Sequence, residues 1–155
     1  HARWADKRLL AWLGDDELLQ QAGLGVDDRS HLRQTIPATE VVEPAAADNL
    51  WQRRKSLFFK PVDGFGSKAA YRGDKLTRTT FEHILAHRYV AQALAPTSFR
   101  RIQSADGVEA ELRVDVRNYT MHGATWLRAA RLYRGQTTNF RTVGGGFAPV
   151  LTLPA

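Results

Sequence analysis

Between Glu109 and Arg117 the chain alternates without a break, with Glu109, Glu111, Arg113, Asp115 and Arg117 on one parity and Ala110, Leu112, Val114 and Val116 on the other. A period of two sends successive side chains to opposite faces of a strand, whereas on a helix the same pattern would scatter its apolar residues around the axis. Such a strand needs neighbours, and the flanking text supplies two. Upstream, residues 99–103 and the run from Val108 onward bracket Ala105-Asp106-Gly107, a turn of hairpin type. Downstream, a turn at His122-Gly123 leads to residues 125–133, which carry Arg128 and Arg131. Asp115, Arg117 and Arg131 are therefore expected on one face of an antiparallel sheet. The planar fork of arginine suits phosphate; a solvated cross-strand ion pair explains the same residues.

Residues 135–147, GQTTNFRTVGGGF, are rich in glycine and hydroxyl side chains and carry little for a core, so a loop is expected there, either disordered or held by what it binds. Asn139, Arg141 and the glycines 144 to 146 would add donors at the end of the charged hairpin.

A second stretch, residues 57–74 or LFFKPVDGFGSKAAYRGD, puts Lys60 at the end of an apolar run, then a loop with Gly64 and Gly66, then a short run that stops at Gly73. Glycines leave backbone N–H groups free to converge on an anion, and Lys60 and Lys68 add charge on either side. A plain hairpin turn explains the same letters. Two familiar phosphate loops fail on context. A Walker A loop needs G-x-x-x-x-G-K-[ST] opening a helix, and here Ser67-Lys68 stands in the reverse order without the second glycine. Gly64-x-Gly66-x-x-Ala69 fits the dinucleotide pattern by letter, but residues 60–63 separate it from its strand and Gly73 comes too early for a helix. A strand, a glycine flap and a return strand remain.

Elsewhere the spacing predicts a helix over residues 4–13 closed by Gly14, a second capped by Asp15 or Asp16, and a third opened by Asp27 and Asp28. Pro37 then forbids helix, so residues 39–43 are expected as a strand and 44–49 as a small-residue loop and internal boundary. A helical turn over 50–55 precedes the flap. Thr79 or Thr80 is expected to cap a helix presenting Phe81, Ile84 and Leu85, followed by a buried strand over 89–94. His83 and His87 stand four apart without a third ligand or an H-E-x-x-H pattern, which points to ordinary helix residues rather than metal. No G-x-S-x-G elbow appears. Trp4, Trp12, Trp51 and Trp126 fall where core packing is the default.

The charge of +6, from 22 Lys and Arg against 16 Asp and Glu, favours an anionic partner without naming one. The absence of cysteine excludes disulfides, thiolate metal sites and cysteine nucleophiles. No apolar run reaches the roughly 18 to 20 residues of a membrane helix, and the first residues are too polar for a secretory signal. A soluble, cytoplasmic protein with no membrane partner is expected.

Together, FFKPVDGFGSKAAYRGDKLT, YVAQALAP, LRVDVRNYTMHG, ARLYRG and TTNFRTVGGGFAPV resemble the ATP-grasp superfamily, in the circularly permuted branch similar to glutathionylspermidine synthetases. The likeness runs from about Leu57 to Val150, and DKRLLAWLGDDELL is similar to the helix before the lysine strand of that branch. It implies an α+β, ATP-grasp-like fold of antiparallel sheets with flanking helices, in which two small lobes enclose a nucleotide. Residues 1–49 would form a helical N-terminal segment and 50–155 the nucleotide-binding region, with the flap at 57–74 and the charged hairpin and loop at 108–150.

The same resemblance assigns Lys60 to the adenine side and the α-phosphate, and Gly64, Gly66, Ser67 and Lys68 to the β- and γ-phosphates. It assigns Gln92 to adenine and ribose at the hinge, and Asp115 to the ribose. Arg117 and Arg131, as the catalytic arginines, and Asn139 fall toward the phosphates, with Arg141 a looser match. The implied reaction is ligation of a small-molecule or peptide carboxylate to an amine through an acyl phosphate, with ATP and Mg2+. Magnesium needs hard oxygen ligands, yet the Glu-x-Asn motif of the family is absent. The metal ligands are therefore unknown and are expected in the remainder of a longer protein, of which this chain would be the C-terminal portion.

Two other readings compete: a catalytically inactive ATP-grasp scaffold, and a basic nucleic-acid module using Arg and aromatic residues on a sheet. Against nucleic acid stand Glu109, Glu111 and Asp115 among the arginines, and the expectation that no aromatic pair lines that face.

Overall fold

The structure is a computed structural model and describes residues 5–64, 68–103, 107, 109–135 and 144–151. The chain forms two compact units, His1–Ala95 and Pro96–Ala155. Each contains a four-stranded antiparallel sheet, and the helices among the described residues lie in the first, so the class is α+β.

In the first unit, α1 (Arg8–Trp12), α2 (Asp16–Gln21) and α3 (Val26–Thr35) precede β1 (Thr39–Val41). The expected caps hold for α2, where the Asp15 carboxylate accepts from the Leu18 N–H at 3.1 Å. The alanine-rich segment is not an open loop. Pro44–Ala46 forms a 3-10 turn that runs into α4 (Ala47–Gln52), because proline fits the first turn of a helix and alanine is the best helix former. After a second 3-10 turn, Arg54–Ser56, come β2 (Leu57–Pro61) and β3 (Tyr71–Arg72), the strand and return strand of the flap. Then follow α5 (Arg78–Leu85) and β4 (Tyr89–Ala93). The cap of α5 is Thr77 rather than Thr79 or Thr80: its hydroxyl accepts from the Thr80 N–H at 3.2 Å, and the helix starts one residue later.

The strand order is β1-β4-β2-β3. One face of this sheet carries Leu57, Phe59, Tyr89 and Ala91, which pack with Val42, with Leu50 of α4 and with Phe81 and Ile84 of α5. Phe59, Leu50 and Ile84 are fully buried, each side chain contributing about 1.5–3 kcal/mol through burial. Alternation along β2 sends Phe58 and Lys60 to the opposite face.

The second unit is a sheet of order β5-β6-β7-β8, formed by Ser98–Gln103, Glu109–Met121, Ala124–Tyr133 and Gly146–Pro149. Both hairpins expected from the alternation are present. His122 and Gly123 take φ of 50° and 78° between paired Met121 and Ala124, the two left-handed residues that a type I′ turn requires. Pairing passes from Tyr119–Leu127 to Thr120–Thr125 and skips Trp126, a bulge that leaves the indole 70% exposed rather than in a core. The glycine-rich tail contains a strand that its composition hides: β8 adds to the open side of β7, pairing Gly146 with Leu132 and Pro149 with Ala129. An edge strand tolerates both glycine and proline.

Candidate functional site

On the face of the first sheet away from α4 and α5, one register row runs Thr39–Gln92–Phe58–Arg72 across all four strands. Lys60 stands on the same face, opposite Val90. Its ammonium donates to Gln92 Oε1 at 2.6 Å, and Gln92 Nε2 donates in turn to Thr39 Oγ1 at 2.8 Å. Gln92 is the buried polar side chain of the described core, and its amide is satisfied at both ends, as a buried amide must be. Burial, and then the nearby Lys7 charge, hold the half-buried Lys60 below the usual lysine range. The ammonium has three donors and gives one to Gln92.

Arg72, at the other end of the row, has its Nε closed off from solvent and without a hydrogen bond. Asp74 Oδ1 lies 3.1 Å away, close enough for an ion pair, but the angle is too poor for hydrogen bonding. Neither Arg72 nor Thr39 was expected at the site. The signal was available for Arg72: it sits in the return strand of the flap, two residues from its end.

The flap leaves the sheet at Pro61. Gly64 has φ of 115°, as expected of a flap glycine, and its carbonyl accepts from Lys7 Nζ at 3.1 Å. Lys68 is exposed, and Ala69 takes φ of 53°, a left-handed conformation in a residue with a side chain. Gly66 and Ser67 lie outside the described residues, as do Asn139, Arg141 and Trp4.

In the second unit, Asp115 of β6 stands directly across from Arg131 of β7, and Arg131 Nε donates to Asp115 Oδ1. Arg117 projects from the same face and is exposed; its guanidinium lies 6.0 Å from the Tyr119 ring centre rather than in the ion pair. That face does carry aromatic residues, against expectation. Phe99 pairs with Arg113, whose guanidinium lies 4.8 Å from its ring centre, and Phe99 and Tyr119 are both exposed. The pairing of β5 with β6 was foreseen, but its register, which decides who shares a face with whom, was not.

His83 and His87 stack with ring centres 4.0 Å apart, and His87 Nδ1 is 2.8 Å from the His83 carbonyl. Among the described residues no three His, Asp or Glu side chains come together as a metal site, and no helix is long and apolar enough to cross a membrane.

Compared with known proteins, the chain matches no protein-family model and no curated protein significantly.

Proposed function

We propose that this chain is the ATP-binding portion of an ATP-dependent carboxylate–amine ligase of the permuted ATP-grasp kind. The observation that carries the reading is the hydrogen bond between Lys60 and Gln92, 32 positions apart in sequence, which the family resemblance independently assigns to the same nucleotide. A half-buried ammonium with donors to spare suits an anionic ligand. The Asp115–Arg131 pair, with Arg117 beside it, is the corresponding feature of the second unit.

In the reaction a substrate carboxylate oxygen attacks the γ-phosphorus of ATP and ADP leaves, giving an acyl phosphate. An amine nitrogen then attacks the acyl carbon, phosphate leaves and a proton is lost, giving the amide. Protein contributes by orienting groups and stabilising charge. Lys60 would bind phosphate oxygens, Gln92 the base and ribose, and Arg117 and Arg131 the charge that develops on transfer. Among the described residues no three His, Asp or Glu side chains come together, and no step here runs through the metal.

Calorimetric titration of MgATP tests the reading. Binding by the wild type, with a loss of tenfold or more in Lys60→Ala, is expected; wild-type affinity in that variant would mean the site is misplaced. One observation favours a second reading, a module for single-stranded nucleic acid. Arg113 and Arg117 lie over the exposed rings of Phe99 and Tyr119, the pairing of cation and stacking surface that such modules use. Salt-sensitive RNA binding without nucleotide binding would establish that reading instead.

A further inference from the structure

The loop between β2 and β3 is tied down at both roots by side chains that donate to its carbonyls. Lys7 Nζ reaches the carbonyls of Pro61 at 2.8 Å, Gly64 at 3.1 Å and Val62 at 3.4 Å, and the Lys7 backbone N–H donates to the Val62 oxygen at 3.2 Å. At the other root the Tyr89 hydroxyl, on a buried ring, donates to the Ala69 carbonyl at 3.0 Å. Three ammonium donors on three carbonyls leave Lys7 none for a ligand. Its work is done on the backbone.

A trans peptide is planar and points its C=O and the following N–H in opposite directions. Drawing the Pro61 and Val62 carbonyls to Lys7 therefore turns the Val62 and Asp63 N–H groups away from it. The first has its partner on that opposite side, since Val62 N donates to the Arg88 carbonyl at 2.9 Å. In the same way Tyr89 sets the peptide after Ala69, a residue whose left-handed conformation is unfavourable and persists only where its surroundings hold it.

We propose that Lys7 and Tyr89 are positioning residues for the phosphate-binding loop: they occupy its carbonyls, so that its root peptides are set before an anion arrives. This rests on the nucleotide reading above. Prior ordering lowers the entropic cost of binding, so losing either staple should weaken the affinity for a polyphosphate and free the root amides, while leaving the sheet intact.

The test compares wild type, Lys7→Met, Lys7→Arg and Tyr89→Phe by amide hydrogen exchange and by titration with MgATP and with inorganic tripolyphosphate. Exchange at the paired root amides, Val62, which donates to the Arg88 carbonyl, and Tyr71, which pairs with Phe59, should quicken roughly tenfold in Lys7→Met and Tyr89→Phe respectively, with the central amides of β2 and β4 unchanged. Affinity for both probes should fall roughly fivefold to tenfold, the effect of about one lost hydrogen bond. Arginine at position 7 should restore part of it. Tyr89→Phe removes a single oxygen and keeps the ring, so it reports even if Lys7→Met fails to fold. Unchanged root exchange in both variants overturns the staples whatever the nucleotide does. Faster exchange with undiminished binding overturns their role in affinity and leaves the nucleotide reading standing. Faster exchange with no binding by any form overturns the nucleotide reading and the proposal with it.

Discussion

Replacing Gly73 with alanine should damage the first unit out of proportion to one methyl group. A Cβ at that position would lie 1.9 Å from the Arg54 carbonyl oxygen, 2.7 Å from its carbonyl carbon and 2.9 Å from the Leu57 oxygen. Carbon and oxygen rest at about 3.3 Å even in a weak hydrogen-bonding contact, so the chains would have to separate by about 1.4 Å. No flexible side chain can absorb this, because every obstructing atom is backbone. Arg54 opens the 3-10 turn that roots β2, and that turn is itself held by Leu94 N donating to the Ser56 oxygen at 2.9 Å. Overpacking usually costs about 1–3 kcal/mol when side chains can adjust. With rigid backbone on both sides, a loss of about 3 kcal/mol is expected, or a fall in melting temperature of roughly 12–24 °C at the 4–8 °C per kcal/mol typical of small domains. Thermal and urea unfolding would measure it beside Gly14→Ala, whose new Cβ would be in ordinary contact at 3.5 Å from the Ala11 oxygen. The control should be neutral or stabilising by less than about 1 kcal/mol. If Gly73→Ala melted within about 3 °C of the control, the close approach of these two backbone segments would be refuted.

Two further outcomes can be checked by unfolding. Asp6 is held down to about 2 by its side-chain and backbone hydrogen bonds from Arg8; since an unfolded aspartate titrates near ~3.9, its contribution is present above about pH 4 and is lost as pH falls toward 2. Asp6→Asn should flatten the stability profile over that window and leave it unchanged near neutrality beyond a constant offset. For Asp115 and Arg131, a double-mutant cycle with Asp115→Asn and Arg131→Met should give a coupling of about 1 kcal/mol that shrinks in molar salt. A coupling near zero would mean that the pair does not hold the two strands in register.

Local patterns carried most of the strands and helices. The alternation at Glu109–Arg117 and the His122-Gly123 turn were enough to foresee β6 and β7, because period and turn chemistry are properties of neighbours in sequence. Where composition stood in for partners, expectation failed. The tail around Gly146 reads as loop, yet the open edge of β7 makes a strand of it. Trp126 reads as core, yet a bulge turns it out. Lys60 and Gln92 were both singled out by the resemblance, but their direct contact needed the β2–β4 register. Lys7 left no local signal at all: its partners lie more than fifty residues away, at Pro61, Val62 and Gly64, and all are carbonyls, which every sequence contains.

The position of Lys60 also separates what the fold requires from what it carries. The face of β2 that packs on α4 and α5 needs Leu57 and Phe59, and these are buried. The other face accepts apolar side chains equally well: Phe58 precedes Lys60 there by two residues, and Val90, its cross-strand neighbour, is fully buried. An apolar residue at position 60 would avoid the desolvation that lowers the lysine's proton affinity. It would leave Gln92 Oε1 without its donor, but Gln92 itself is no more required by packing than Lys60 is. Folding alone therefore gives no reason for an ammonium and an amide, linked to Thr39, in a row that apolar residues could fill. A ligand gives one, because specificity at a mostly apolar surface comes from a few polar groups whose positions are fixed. The loop that leaves β2 has its two roots held by Lys7 and Tyr89, one from outside the flap and one from the strand beside it.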